Sequence, residues 1–311
     1  MTIVTHTFNT SVDITYTVPE FLLGEVHRPT ETIKNAGGKG INVSKVLAQL
    51  GADLQAFAYL GGANGRWIAD QLEGLDITVS AVTIEGETRQ CLAINDGQHQ
   101  TEVLEKGPVI SQEAQAKYIE QLMAHTHPEV MTISGSSPQF EGATALEHLR
   151  EVLSTAQAQY TILDTRADDL KTALDSGLPI HCIKPNEDEF AQLVGEHPDT
   201  EKNFYRLMKT HTSLKDVDVF LTLGARGAII KLDNHIYRAT VPTIQAVNAV
   251  GSGDSTVAGI AFGRTHFKQQ PEQLIRHALA CGMSNALQKE TGKINIAQVE
   301  HFATQIQVEM V

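Results

Sequence analysis

Cysteine is scarce: Cys91, Cys182 and Cys281 are scattered along the 311 residues, and no pair has CxxC spacing. That excludes a disulfide-stapled scaffold and a Cys-rich metal site, and it points to a reducing compartment. Each thiol reads as a small buried hydrophobe. Long apolar runs are missing as well. No stretch approaches the roughly 18 apolar residues of a membrane helix, and the opening MTIVTHTFNTSVD has no basic start followed by an apolar run. The expectation is a cytoplasmic protein without a leader or a membrane partner. Positive charge is in the minority, 24 Lys and Arg against 37 Asp and Glu, a formal charge of −13. Such a surface repels nucleic acid and anionic lipid, so neither is expected as a partner, although a local cationic pocket stays open. No HExxH and no GxSxG elbow occurs, and His6, His125 and His127 lack companions at metal-ligand spacing. Aromatics make up 5% of the chain, and Trp67, Phe57, Tyr59 and Phe262 read as core or rim packing.

What is present is a regular alternation. With 41% apolar residues, a chain of this length supports one large core that buries roughly 75% of the unfolded surface. Apolar runs at 2–4, 55–60, 130–133, 160–163, 181–183, 217–223 and 228–231 read as strands. Between them lie helical patterns: Val43, Val46, Leu47 and Leu50 at i, i+3, i+4, i+7 spacing, then 111–123, 144–155 and 187–194. Later segments at 251–263 and 271–288 read as helices too. Strand–helix alternation on this scale predicts an α/β fold with a mostly parallel sheet covered on both faces. Two regions break the rhythm. Residues 12–17 and 29–35 are β-rich but polar, and 88–94 with 98–104 flank an Asn95-Asp96-Gly97 turn, the signature of a hairpin. They predict a small second sheet, built roughly from 12–35 and 88–104, inserted into a single domain spanning 1–311. Its apolar face needs a cover: a cleft beneath a lid, a dimer surface, or both. No linker divides the chain.

Three motifs carry candidate chemistry. In Asn-Ala-Val-Gly-Ser-Gly-Asp at 248–254, Gly251 and Gly253 permit a tight turn and Asp254 opens a small-residue helix. Free N–H groups at such a terminus bind anionic oxygen, and a carboxylate among them can take a proton from a hydroxyl. The same residues also suit a plain N-cap and turn. In Asn35-Ala-Gly-Gly-Lys-Gly-Ile-Asn42, Gly37, Gly38 and Gly40 let backbone approach a ligand, Lys39 reaches an anion, and Asn42 donates and accepts. The segment matches neither a Walker A loop nor GxGxxG, and a surface turn is the competing reading. Asn9, Asp13, Arg28 and Arg89 are further polar anchors, each also compatible with solvated surface. Third, Lys184-Pro-Asn-Glu-Asp-Glu189 and Thr222-Leu-Gly-Ala-Arg-Gly227 each follow a strand, where ligands of parallel sheets bind. Asn186 and Glu189 could hold hydrated Mg²⁺ through water, and Gly224 and Gly227 could pass under phosphate oxygens.

Taken in order, Gly37-Gly-Lys-Gly-Ile-Asn42, Ile183-Lys-Pro-Asn-Glu-Asp-Glu189, Leu221-Thr-Leu-Gly-Ala-Arg-Gly227 and Val250-Gly-Ser-Gly-Asp-Ser-Thr-Val-Ala-Gly259 resemble the phosphofructokinase-B type of sugar kinases, within the ribokinase-like superfamily, over the whole chain. Segments 100–108, 241–248, 282–286, 290–293 and 306–309 resemble the subgroup acting on tagatose 6-phosphate. The resemblance implies a three-layer α/β/α fold with a β lid that often pairs with its twin in a homodimer. It also implies ATP and Mg²⁺ as reaction partners and phosphorylation of a phosphorylated ketohexose at its C1 hydroxyl. The alternatives are fructose 1-phosphate or fructose 6-phosphate as acceptor, and a non-catalytic sugar-phosphate binder. By the same resemblance, Asp254 is the general base and the amides of Gly251, Ser252 and Gly253 belong to the anion hole. Asp13, Gly38, Asn42 and Ser137 lie at the sugar, and Lys39, Arg89 and Arg28 lie near the phosphate already on it. Lys184, Thr222, Gly224, Gly227, Gly253 and Asn285 fall to the nucleotide, and Asn186 and Glu189 to Mg²⁺. Three departures bear on sugar preference: Asp164-Thr165-Arg166-Ala167 where the family has Asp-Thr/Ser-Ser-Gly, Ser137 in place of an apolar residue, and His27 before Arg28.

Overall fold

The computed structural model describes residues 2–311. Its first half runs β1 (Ile3–Thr7), β2 (Ser11–Thr17), β3 (Glu31–Gly37), α1 (Lys39–Gln49), β4 (Leu54–Gly61), α2 (Gly62–Glu73), β5 (Thr78–Ile84), β6 (Arg89–Asn95), β7 (Gln100–Leu104), β8 (Val109–Ile110), α3 (Gln112–Leu122), β9 (Val130–Ser134), β10 (Gln139–Phe140) and α4 (Ala145–Ala156). The second half runs β11 (Tyr160–Asp164), α5 (Ala167–Asp175), β12 (Cys182–Ile183), α6 (Glu187–Val194), α7 (Glu201–Thr210), β13 (Asp218–Thr222), β14 (Ala228–Leu232), β15 (His235–Thr240), α8 (Ser252–His266), α9 (Pro271–Ala286), α10 (Ile296–Gln305) and β16 (Gln307–Met310). Among the described residues no helix is long and apolar enough to cross a membrane.

A ten-stranded sheet in the order β16-β15-β14-β13-β12-β11-β9-β1-β4-β5 forms the middle layer. From β5 to β13 all neighbours pair parallel, and β13 to β16 pair antiparallel. The fold is therefore the three-layer α/β/α arrangement. Strand β4 shows why both faces are covered. Leu54, Ala56, Ala58 and Leu60 enter one apolar cluster, while Phe57 and Tyr59 enter the other, as a two-residue period demands. Helices α1, α2, α8, α9 and α10 feed the first cluster, and α3 to α7 the second. Each fully buried large side chain, such as Phe57 or Phe220, contributes about 1.5–3 kcal/mol of transfer free energy. Helix starts follow local chemistry: Ser111 caps α3, and Thr144 with Glu147 forms a capping box on α4.

The second sheet has the order β3-β2-β6-β7 and spans 11–37 and 89–104. Its centre pairs β2 parallel with β6, and both outer pairings are antiparallel. The turn after β6 is closed by Asp96, whose carboxylate accepts the N–H groups of Gln98 and His99. Three main-sheet strands lie outside the expected runs: β5, β15 and β16. The pattern at β5 and β15 is mixed because edge-side strands keep one face partly wet, and β16 is largely exposed.

Candidate active site

Chain order reverses between β1 and β9, since β1 leads to β4 on one side while β9 leads to β11 on the other. Ligands of open parallel sheets bind at the carboxyl ends beside such a switch point. There a cleft of about 1060 Å³ opens between the main sheet and the small sheet. Adjacent strands deliver polar residues to it: Lys184 follows β12, Asp164 ends β11, Ser136 and Ser137 follow β9, and Asn9 follows β1. Six cations line it, Lys39, Arg89, Lys106, Arg166, Lys184 and Lys289, interleaved with eight carboxylates, so an acidic protein gathers positive groups here beside acidic ones.

The far wall is the start of α8. Gly251, in the left-handed region at φ 83°, caps the helix and allows the sharp reversal. The N–H of Ser252 donates to Ala249 O at 3.2 Å. By helix geometry the next two amides, of Gly253 and Asp254, have no acceptor within the helix, and both residues line the cleft. Asp254 is buried, and its Oδ2 accepts a 2.9 Å hydrogen bond from Asn42 Nδ2 at the start of α1. Burial pushes its carboxyl up to about 6, against the pull of the Lys39 ammonium, while the nearby Asp164 carboxylate adds to the rise. A carboxyl so poised is largely ionised near neutrality and still basic enough to accept a proton.

Opposite it, Asp164 lies between two ammonium groups, Lys39 Nζ at 3.5 Å and Lys184 Nζ at 3.8 Å. Burial works to raise the Asp164 carboxyl, but the two lysines outweigh it and hold it below the ordinary range. Asp164 in turn raises the Lys39 ammonium, so this lysine keeps its charge at any working pH. On the small sheet, Ser11 Oγ donates to Asp13 Oδ1 at 2.6 Å, and burial raises the Asp13 carboxyl while Ser11 and Lys45 draw it down. Gly37 makes room for it, since a Cβ there would lie 2.0 Å from Asp13 Oδ2.

A buried carboxyl beside unpaired amides, facing cations across a cleft, suits phosphoryl transfer. Residues 6–297 match the pfkB family carbohydrate kinases. The chain belongs to this family. A tagatose-6-phosphate kinase of Staphylococcus epidermidis is 38% identical over 310 residues, 98% of this chain and 99% of that protein. Two crystal structures of phosphofructokinase-2 from Escherichia coli share the fold. The complex with substrates and products has a TM-score of 0.89 at 24% identity over 98% and 99% of the two chains. The tetrameric inhibited form has 0.85 at 24% over 97% and 98%.

Within this carbohydrate kinase, Asp13, Gly38, Lys39, Asn42, Arg89, Ser137, Lys184, Asn186, Glu189, Gly251, Gly253 and Asp254 all line the one cleft. Other expected residues do not. Arg28 is exposed and outside the cleft, because the loop between β2 and β3 folds on itself: the His27 ring meets that of Phe21 at 5.0 Å in a tilted contact and reaches the Leu22 backbone. Ser252 offers no free N–H, as noted, and does not line the cleft. Asn285 has no exposed surface, and its amide is consumed by Val250 O at 2.9 Å and Gly292 N at 3.0 Å, so it braces the Gly251 turn from behind. Thr222, Gly224 and Gly227 sit one strand beyond the cleft lining, with Thr222 bridged to Asn186. Lys39 and Arg89, expected to share one phosphate, keep different company: Lys39 faces Asp164, whereas Arg89 donates to Glu105 O at 3.0 Å and Asn9 O at 3.3 Å.

Asp164 was the chief omission from the expected site, although an Asp closing an apolar strand run is a readable signal. Lys45 and Ser11 were the others, and neither has a sequence signature. The metal expectation meets a limited donor set. Asn186 Oδ1 accepts from Glu189 N–H, and Glu189 Oε2 accepts from Asn186 N–H, as a capping box on α6. That leaves one carboxylate oxygen free, and among the described residues no cluster of three acidic, His or Cys side chains forms a metal cage. The set fits a hydrated divalent ion held mainly by phosphates, not a resident metal.

Proposed function

We propose that this enzyme transfers the γ-phosphoryl group of ATP to the C1 hydroxyl of D-tagatose 6-phosphate, giving D-tagatose 1,6-bisphosphate and ADP. The observation that carries the chemistry is Asp254, buried and titrating near 6 beside the free amides of Gly253 and itself. The choice of sugar rests on the 38% identity to the staphylococcal enzyme over nearly the full length of both chains.

Asp254 takes the proton of the acceptor hydroxyl as the new O–P bond forms and the bond from the γ-phosphorus to the bridging oxygen of ADP breaks. The Gly253 and Asp254 amides, with Gly251 shaping the turn, and the Lys39 and Lys184 ammonium groups face the charge on the transferring group. Arg89, with Asn9 and Ser137 near it in the cleft, holds the phosphate already on the sugar, and Asp13 with Asn42 meets its hydroxyls. That grip fixes which end of the sugar meets the base. Asn186 and Glu189 would hold, through water, the Mg²⁺ that accompanies the nucleotide, and that ion would supply neutralisation of phosphate charge. The small sheet closes over the pair and keeps water from competing as acceptor.

The lid also serves as a homodimer surface in this reading. Leu22, Leu23 and Val26 on its loop and Val103 and Leu104 on β7 are exposed apolar side chains, with Leu23 92% accessible. A cytoplasmic setting, with ATP and sugar phosphates at hand, suits three free thiols. The deciding experiment is a kinetic panel of tagatose 6-phosphate, fructose 6-phosphate and fructose 1-phosphate with ATP. The expected result is the highest kcat/KM on tagatose 6-phosphate. A higher value on either fructose ester reassigns the acceptor, and no turnover on any of them overturns the kinase reading.

A further inference from the structure

We propose that Lys45 is a positioning residue of the phosphoryl-transfer site, its ammonium clamping the root of the lid to the segment that backs the Gly251 turn. The proposal rests on the kinase reading above. Lys45 lies on α1 three residues after Asn42, hence on the same side of the helix. Its Nζ donates to Thr291 O at 2.7 Å and to Ala36 O at 3.2 Å. Ala36 is the penultimate residue of lid strand β3, and Thr291 lines the cleft. One turn further along α1, Gln49 donates to Gly292 O at 2.9 Å and accepts from Ile294 N at 2.9 Å. Two neighbouring side chains of α1 thus fix the backbone of 291–294.

That segment is wedged between the two supports of Asp254. A Cβ on Gly292 would come within 3.0 Å of Asn42 Cα, and one on Gly251 within 3.2 Å of Gly292 N. Gly292 N also donates to Asn285, the residue that holds Val250. From the lid, Glu31 on β3 pairs with Lys289 at 3.1 Å. A shift of Thr291 is therefore transmitted to both Asn42 and the helix-capping turn. The wedge is held by charge as well as by shape, because a charged donor to a carbonyl is roughly twice as strong as a neutral one.

The charged groups around Lys45 oppose one another. Burial disfavours the ammonium, and Lys293 repels it, while Asp13 on β2, Glu290 on the segment itself and Asp254 on α8 favour it. The balance brings Lys45 down to about 8. Its clamp then weakens on the alkaline side, whereas Asp254 limits the acid side.

The test compares the full-length wild type with Lys45→Met and Lys45→Arg by two readouts. The first is amide hydrogen exchange over 288–294 in the protein without ligands. The second is kcat against pH with ATP and the best sugar phosphate. The methionine variant is expected to exchange at least ~10-fold faster over that segment, to lose ~10- to 100-fold in kcat and to lack the alkaline limb near pH 8. The arginine variant should keep the protection and hold its activity well beyond that limb, since guanidinium does not deprotonate there. Unchanged exchange with kcat within about twofold in Lys45→Met overturns the proposal, as does an alkaline limb that stays near pH 8 in Lys45→Arg. Should Lys45→Met fail to fold by circular dichroism, the limb of Lys45→Arg alone decides. An inactive wild type would refute the kinase reading, and the exchange data would still judge Lys45.

Discussion

The Asn42–Asp254 hydrogen bond gives the sharpest handle on the chemistry. With its carboxyl at about 6, Asp254 is ionised in about 97% of molecules at pH 7.5 and in half at pH 6. Asn42→Ala removes a 2.9 Å donor to the charged form. Hydrogen bonds to charged groups contribute about 1.5–3 kcal/mol, and 1.36 kcal/mol corresponds to one pH unit. The midpoint for Asp254 should then rise to between about 7 and 8. Relative to its own plateau at pH 9, which carries the pH-independent loss of the Asn42 contact to the sugar, the variant-to-wild-type ratio of kcat/KM should fall to roughly a quarter to three quarters at pH 7.5 and roughly 2–20% at pH 6. The assay is coupled ADP release across about pH 5.5 to 9, scored as the ratio of variant to wild type, which cancels any alkaline limb common to both. A ratio that stays flat across that range refutes the reasoning, because Asn42 would then act on something other than the ionisation of the base.

Asp254→Asn should lower kcat by at least ~10²-fold while calorimetric binding of a nucleotide analogue changes little; near-normal turnover removes Asp254 as the base. Arg89→Ala should raise KM for the sugar phosphate by about 10- to 100-fold and leave KM for ATP within a few fold, so an unchanged sugar KM rejects its placement. Stability should fall in acid. Burial lowers His6 to about 3, His148 to about 4 and His277 to about 4, so they stay neutral in the fold while the unfolded chain binds protons below about 6.5. Their contribution is complete above about pH 6.5 and is lost as pH falls toward those values. At pH 5 each costs roughly 2 kcal/mol, an upper figure partly offset by the raised carboxyls of Asp13 and Asp254, which favour the fold as they protonate. Urea unfolding at pH 7 and pH 5 should differ by about 4 kcal/mol; equal values would refute the burial of neutral imidazoles.

What could be read from the residues was what local pattern encodes. The strand–helix alternation, the Asn95-Asp96-Gly97 hairpin, the helical segments that became α3 and α4, and the glycine-flanked Asp254 all have local causes, and all are where the pattern put them. Contacts made across long sequence separations were not readable. Nothing in the string shows that Asn42 reaches Asp254, 212 residues away, or that Asn285 is consumed in bracing backbone. Arg28 was misplaced because the fold of its loop depends on a ring contact between Phe21 and His27. That Lys39 faces Asp164 while Arg89 meets the backbone of Glu105 and Asn9 was not readable either, because position within the cleft is set by strand order, which β-propensity does not encode.

The small sheet is joined to the main fold by short links at each of its four strands, and two of them are the shortest. β2 leaves β1 after three residues, and a single residue, Gly38, separates β3 from α1. Three residues span at most about 11 Å, so these links hold the small sheet against the mouth of the cleft. One of them leads directly into the first turn of α1, which carries Lys39 and Asn42. The position of the small sheet and the placement of Lys39 and Asn42 are therefore set by one short stretch of backbone, so a substitution that lengthens the Gly38 junction would disturb the cover and the Asn42–Asp254 hydrogen bond together.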